Sequence, residues 1–186
     1  MSRLVVVLPL TPLRTGDSFP VSAWPLHITV LPPFQTDAAA SEIARIIAGV
    51  VAETAIGRTA LTAVAGADAL FGRREDVPVT LVEDDPHLTE LHGALVAAVR
   101  PFASTPDEPA FTGPGFRAHI TIKNGTRVHA GQRLALRQIA LVDMAPRSAA
   151  SGRTVLATFP LPAPDLPAPD SESGSAESVA GDRPAR

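Results

Sequence analysis

The phrase His-Ile-Thr occurs twice in this chain, in HITV at residues 27–30 and in HITI at residues 119–122, each time inside a run that alternates polar with apolar residues. Alternation of period two marks a strand with one face in a core and the other outside it. In the first copy Leu26, Ile28 and Val30 take the inner face, and in the second Ala118, Ile120 and Ile122 do. His27 and Thr29 then share the outer face, as do His119 and Thr121, with about 6 to 7 Å between the pair along each strand. Lys123 has the parity of His119 and joins that face. A fold for this chain must therefore supply two such half-buried strands from distant parts of the sequence.

The remaining segments fit strands interrupted by only two helices. RLVVVLPL at the start, PLHITVL, TALTAVAGADALFG, VPVTLVED, FRAHITIK, RLALRQIALVDMA and TVLATFPL read as β-rich runs bounded by Gly, Pro and charged turns. Residues 36–57 place Ile43, Ile46, Ile47, Val50 and Val51 at helical spacing, with Asp37 as candidate cap and Gly57 just past the end. A second helix follows Asp85, a cap, and Pro86, suited to a first turn; Leu88, Leu91, Leu95 and Val99 form its apolar stripe. The order strands, helix, strands, helix, strands predicts an α+β fold rather than a doubly wound parallel sheet. One His-x-Thr strand falls in each half.

Residues 161–186, rich in Pro, Ala, Ser and acid without a periodic apolar face, are expected to be a disordered tail after a folded unit spanning 1–160. That tail holds five acids and two arginines, and so accounts for the whole net charge of −3. The formally neutral body lacks the basic face that a grip on extended nucleic acid requires. The opening apolar run is cut by Pro9, and no run approaches the length of a membrane span, so a soluble, cytoplasmic protein is expected. With no cysteine, disulfides, thiolate nucleophiles and cysteine-bound metals drop out. The spacing of His87 and His92 misses the i, i+4 geometry of helical zinc ligands, and no metal or other cofactor is implied.

A wet sheet face would also alternate in this way, and one copy of the phrase alone reads so. Two copies carry more. Imidazoles titrate near pH 6.5, so two of them facing one groove can act as base and acid in a single displacement at phosphorus. Two threonine hydroxyls beside them can donate to the non-bridging phosphate oxygens. Such a set needs no metal.

The paired HITV and HITI motifs, with the first strand ahead of them, the LFG segment at 70–72, the VPVTLV strand before a helix and a closing strand ending in FPL, resemble the 2H phosphoesterase superfamily across most of residues 1–160. The resemblance implies a bilobal α+β fold of two pseudo-symmetric antiparallel sheets with helices outside and a central groove. It implies a phosphodiesterase acting on 2′,3′-cyclic phosphates of small nucleotides or RNA ends, as in the RNA 2′,3′-cyclic phosphodiesterases long labelled 2′-5′ RNA ligases. Carried over by position, His119 becomes the base and His27 the acid, with Thr29 and Thr121 holding the phosphate. The sequence departs from the RNA-processing members in running from the first motif into LPPF and in placing Lys123 where arginine is common, which favours a small substrate. A non-catalytic module binding a nucleotide or RNA end in the same groove is the alternative.

Lys123 and Arg117 share the His119 face and could draw a phosphate, or could be ordinary exposed strand residues. Phe34 and Phe116 are the candidate substrate-stacking aromatics, with Trp24 and Phe71 behind them; aromatics of this kind more often belong to a core. His87, His92 and His129 lack a threonine at the motif spacing and read as surface or packing residues.

Overall fold

The computed structural model describes residues 1–72, 74–104, 113–144 and 152–163. Nine strands and two α-helices account for most of them: β1 (Ser2–Pro9), β2 (Ser18–Phe19), β3 (His27–Thr36), α1 (Ala40–Glu53), β4 (Leu61–Phe71), β5 (Val77–Val82), α2 (Pro86–Val99), β6 (His119–Thr121), β7 (Arg133–Leu136), β8 (Gln138–Asp143) and β9 (Arg153–Pro160). The strands form one sheet in the order β2-β9-β8-β1-β3-β6-β5-β4-β7, and its paired strands are antiparallel.

Two sheets were expected, and the ladder instead runs through as one. The seam between its halves is thin: β3 and β6 pair at a single position, Ile28 opposite Ile120. A second feature follows from the chain path. The run RLALRQIALVD divides at Arg137 into β7, at one edge, and β8, third from the other edge. One residue cannot span a flat nine-stranded sheet, given strands spaced about 4.8 Å apart. The sheet therefore curls until its ends approach.

One face of the curled sheet carries the main core. Leu4, Val6 and Leu8 of β1, Ile28 of β3, Ile120 of β6, Leu136 of β7 and Leu141 of β8 pack with Ile43 and Ile47 of α1 and Leu88, Leu91 and Leu95 of α2. On β1 the alternate residues Val5 and Val7 face the other way, into a smaller cluster with Ala140, Val142, Val155, Leu13 and Trp24. The connection between β1 and β3 covers that cluster, and Gln138 anchors it by accepting from the Leu13 amide at 3.2 Å and donating to the Leu13 carbonyl at 3.1 Å. The turn-rich stretch also adds the short strand β2, paired to β9.

Local signals placed α2 well and α1 less so. Asp85 caps α2, its carboxylate accepting from the amides of His87 at 2.8 Å and Leu88 at 3.3 Å, and Pro86 opens the first turn. The cap of α1 is Ala39 rather than Asp37, with no side-chain hydrogen bond; Asp37 lies 3.3 Å from the N-terminal ammonium instead. Strand β3 continues through Pro32 and Pro33, which lie within a register shift against β1, where a missing amide disturbs no regular ladder. Leu161, assigned to the tail, is buried in the main core, and its amide donates to the Arg137 carbonyl at 2.8 Å. The rest of the expected tail, from residue 164, lies outside the described residues. No described helix is long and apolar enough to cross a membrane.

Candidate active site

The single Ile28–Ile120 pair places all four motif side chains. In an antiparallel pairing with that register, His27 lies opposite Thr121 and Thr29 opposite His119. All four side chains leave the face opposite the two isoleucines, which are essentially fully buried. The imidazoles occupy the diagonal of this rectangle, with Cα atoms about 7–8 Å apart. Each keeps a threonine as direct cross-strand neighbour. All four are half-buried.

Both imidazoles are held in the same way. His27 Nδ1 lies 2.7 Å from the carbonyl oxygen of Pro25, and His119 Nδ1 lies 2.8 Å from that of Arg117, in each case two residues back along the chain. A carbonyl can only accept, so each Nδ1 carries the hydrogen and each Nε2 is left with its lone pair. Each ring also leans on an aromatic. Trp24 stacks on His27 with centroids 4.1 Å apart, and Phe71 tilts against His119 at 4.6 Å.

Burial favours the neutral ring, and both histidines titrate below the ordinary imidazole value. For His27 the value falls to about 4: desolvation is the main cause, the Pro25 carbonyl opposes it, and the charges of Lys123 and His119 add to it. For His119 desolvation again leads, the Arg117 carbonyl opposes it, and the Arg117 charge adds to it. The influence of His119 on His27 agrees with their diagonal placement.

Lys123 belongs to this cluster. It pairs with Thr126 across a tight turn in which Asn124 and Gly125 have φ of 48° and 76°, the left-handed pair that a two-residue hairpin turn favours. Its ammonium lies 5.2 Å from the Trp24 ring centroid, and desolvation, with the nearby Arg153 charge, lowers its pKa. Asn124 donates to the Ser22 carbonyl at 3.1 Å, tying the turn to the segment that carries Trp24.

The two aromatics chosen from the sequence lie elsewhere. Phe34, 2% exposed, packs in the main core on the helix side of the sheet, where it has no access to the motif face. Phe116 stacks on the buried ring of His92, 4.0 Å away and nearly parallel, rather than on His119. Trp24 and Phe71 are the aromatics at the imidazoles. Arg117, over the Phe71 ring at 5.8 Å, flanks the second motif, while buried Arg153 lies over Trp24 at 5.6 Å and donates to the Met144 carbonyl. Nothing in the sequence around Arg153 sets it apart, because only the β8–β9 pairing brings it there. Among the described residues, no group of three or more His, Asp or Glu side chains is gathered as a metal site.

Comparison with known proteins agrees with this architecture. A family model described as the 2′-5′ RNA ligase superfamily matches residues 7–145. Among solved structures, Escherichia coli LigT complexed with 3′-AMP superposes with a TM-score of 0.52 at 16% identity, over 86% of this chain and 98% of LigT. LigT complexed with NADP+ gives 0.53 at 17%, over 86% and 97%. TT0787 of Thermus thermophilus gives 0.52 at 18%, over 86% and 97%. At such identities the likeness is one of fold: α+β, with a curled antiparallel sheet and few helices. A sequence search of curated proteins finds no match. Because the matched segment begins in β1 and takes in both His-x-Thr strands, the chain belongs to the 2′-5′ RNA ligase superfamily, the 2H phosphoesterases.

Proposed function

We propose that this protein is a metal-independent phosphodiesterase that opens 2′,3′-cyclic phosphates of small nucleotides or RNA ends. The observation that supports the reading is the Ile28–Ile120 register, which sets two imidazoles and two hydroxyls on one face, each imidazole with its Nδ1 hydrogen on a backbone carbonyl. The two halves of the sheet act as lobes around this face. The cyclic phosphate sits between the threonines, whose hydroxyls donate to its non-bridging oxygens.

His119 Nε2 takes a proton from water as the water oxygen bonds to phosphorus. The bond to one ribose oxygen breaks, and His27, protonated at Nε2 when the substrate anion enters, gives that oxygen its proton. Solvent then resets both rings. Lys123 supplies a positive charge near the phosphate, and the same charge opposes protonation of His27 until the substrate anion offsets it. LigT, whose fold this chain shares, has been solved with small nucleotides, 3′-AMP and NADP+, which supports a ligand of that class. The neutral body and the lone lysine favour such a ligand over a long RNA.

The test is hydrolysis of the four nucleoside 2′,3′-cyclic monophosphates with EDTA present. Wild-type turnover is expected to survive the chelator, and His27→Ala and His119→Ala each to lose about 10²–10⁴-fold. Turnover that persists in both variants removes the mechanism, and saturable binding without turnover in the wild type converts the protein into a nucleotide-binding module.

A further inference from the structure

His92 was expected to be a surface or packing residue. It is 1% exposed, on the α2 stripe beneath the sheet, and both of its ring nitrogens are engaged. Nδ1 lies 2.8 Å from the carbonyl oxygen of Val30, and Nε2 lies 3.0 Å from the amide nitrogen of Gly113. The Val30 carbonyl can only accept and the Gly113 amide can only donate. The ring is therefore the neutral Nδ1–H tautomer, donating at one end and accepting at the other. Burial holds it below the ordinary imidazole value, which keeps it neutral near pH 7.

One of the two groups it joins lies in the first motif, and the other lies in the segment that leads to the second. Val30 follows Thr29 on β3. Gly113 begins the short segment that enters β6: the Phe116 amide donates to the Gly113 carbonyl at 3.0 Å, Phe116 stacks flat on the His92 ring, and the next residue, Arg117, offers the carbonyl that holds His119 Nδ1. Between β3 and β6 themselves there is one residue pair. We propose that His92 is a positioning residue, a staple through α2 that fixes the approach to β6 against β3 and so sets the orientation of His119 relative to His27.

As a claim about rate this rests on the two-imidazole reading above; as a claim about His119 it does not. The experiment measures both in His92→Phe, which keeps an aromatic ring against Phe116 but can neither donate nor accept, and in His92→Gln, which can do both. Imidazole 1H–13C spectra of the full chain, assigned with single histidine variants, follow the His119 resonance and its titration, while turnover of a nucleoside 2′,3′-cyclic phosphate is recorded at 20 °C. In His92→Phe the His119 titration midpoint is expected to move toward 6.5 and its resonance to shift, and kcat to fall tenfold or more with KM within about twofold. His92→Gln should return both readouts most of the way.

A role in packing alone would lower the melting temperature and leave the His119 resonance, its midpoint and kcat as in wild type; that result overturns the proposal. Absence of turnover in wild type would defeat the enzymatic reading while the resonance still decides the staple. If His92→Phe does not fold, Phe116→Leu, which removes the stack from a half-buried position outside the main core, decides it by the same His119 measurement.

Discussion

The environment of His27 has a consequence that needs no substrate. The ring titrates near 4 in the folded protein against about 6.5 in an unfolded chain. Below pH 6.5 the unfolded state takes up a proton that the folded state refuses, so the folded state loses stability as the pH falls through the window from 6.5 to 4 and regains it as the pH rises. At pH 4.5 linkage gives about 2.5 kcal/mol for a ring shut off from water; His27 keeps an edge open to solvent, which reduces the expectation to about 1–2 kcal/mol. Urea denaturation at pH 7.5 and pH 4.5, on wild type and His27→Gln, isolates this contribution as a difference of differences. Burial lowers His92 and His119 as well, and both push in the same direction, but they are present in both proteins and cancel. Wild type should lose about 1–2 kcal/mol more than His27→Gln on acidification. Equal losses would show that His27 takes its proton as freely folded as unfolded, and the account of a desolvated imidazole against Trp24 would be wrong.

Three further outcomes are expected. Thr29→Val and Thr121→Val, isosteric changes that remove one hydroxyl each, should lower kcat/KM for a nucleoside 2′,3′-cyclic phosphate by about 10²-fold with little change in melting temperature; unchanged kcat/KM would take the hydroxyls out of the phosphate site. Ile120→Ala, at the lone β3–β6 pair, should cost about 2–5 kcal/mol by chemical denaturation, and Ile120→Val about 0.5–1.5 kcal/mol. Lys123→Met removes a charge that disfavours protonated His27, so the His27 titration midpoint, followed by its ring resonance, should rise; a midpoint that stays or falls would place the ammonium too far away to matter.

What could be read in the sequence was local, and what could not was pairing. Asp85 and Pro86 announce α2 because a cap is made within three residues, whereas Asp37 does not cap α1, because the ammonium of Met1, contributed by the neighbouring strand, lies against it. The alternation around each histidine was enough to set His27 with Thr29 and His119 with Thr121. Their meeting depends on β3 lying beside β6, a contact across 92 residues that no local pattern encodes. Phe34 is instructive. Despite two register shifts in β3, it ends on the side of Ile28, where simple alternation from Ile28 would have put it, so parity argued against a substrate contact from the start. Trp24 and Phe116 both stand three residues before a motif histidine, and only the tertiary fold sends one ring to His27 and the other to His92.

The direction of pairing matters as much as the residues. Had the two phrases paired in parallel, like would lie beside like: imidazole against imidazole, about 5 Å apart, where protonating one would strongly oppose protonating the other. Antiparallel pairing exchanges neighbours, so each imidazole faces a hydroxyl and the two bases stand at opposite corners. A displacement at phosphorus needs a proton removed on the attacking side and one supplied on the leaving side, with the anionic oxygens held between. Opposite corners for the imidazoles and the remaining two for hydroxyl donors meet that demand with a phrase of three residues used twice. The same symmetry leaves the two imidazoles chemically alike in how they are held, each with Nδ1 on a carbonyl two residues back. In the proposed mechanism their division into base and acid would come from what differs around them: Trp24 and Lys123 at His27, Phe71 and Arg117 at His119.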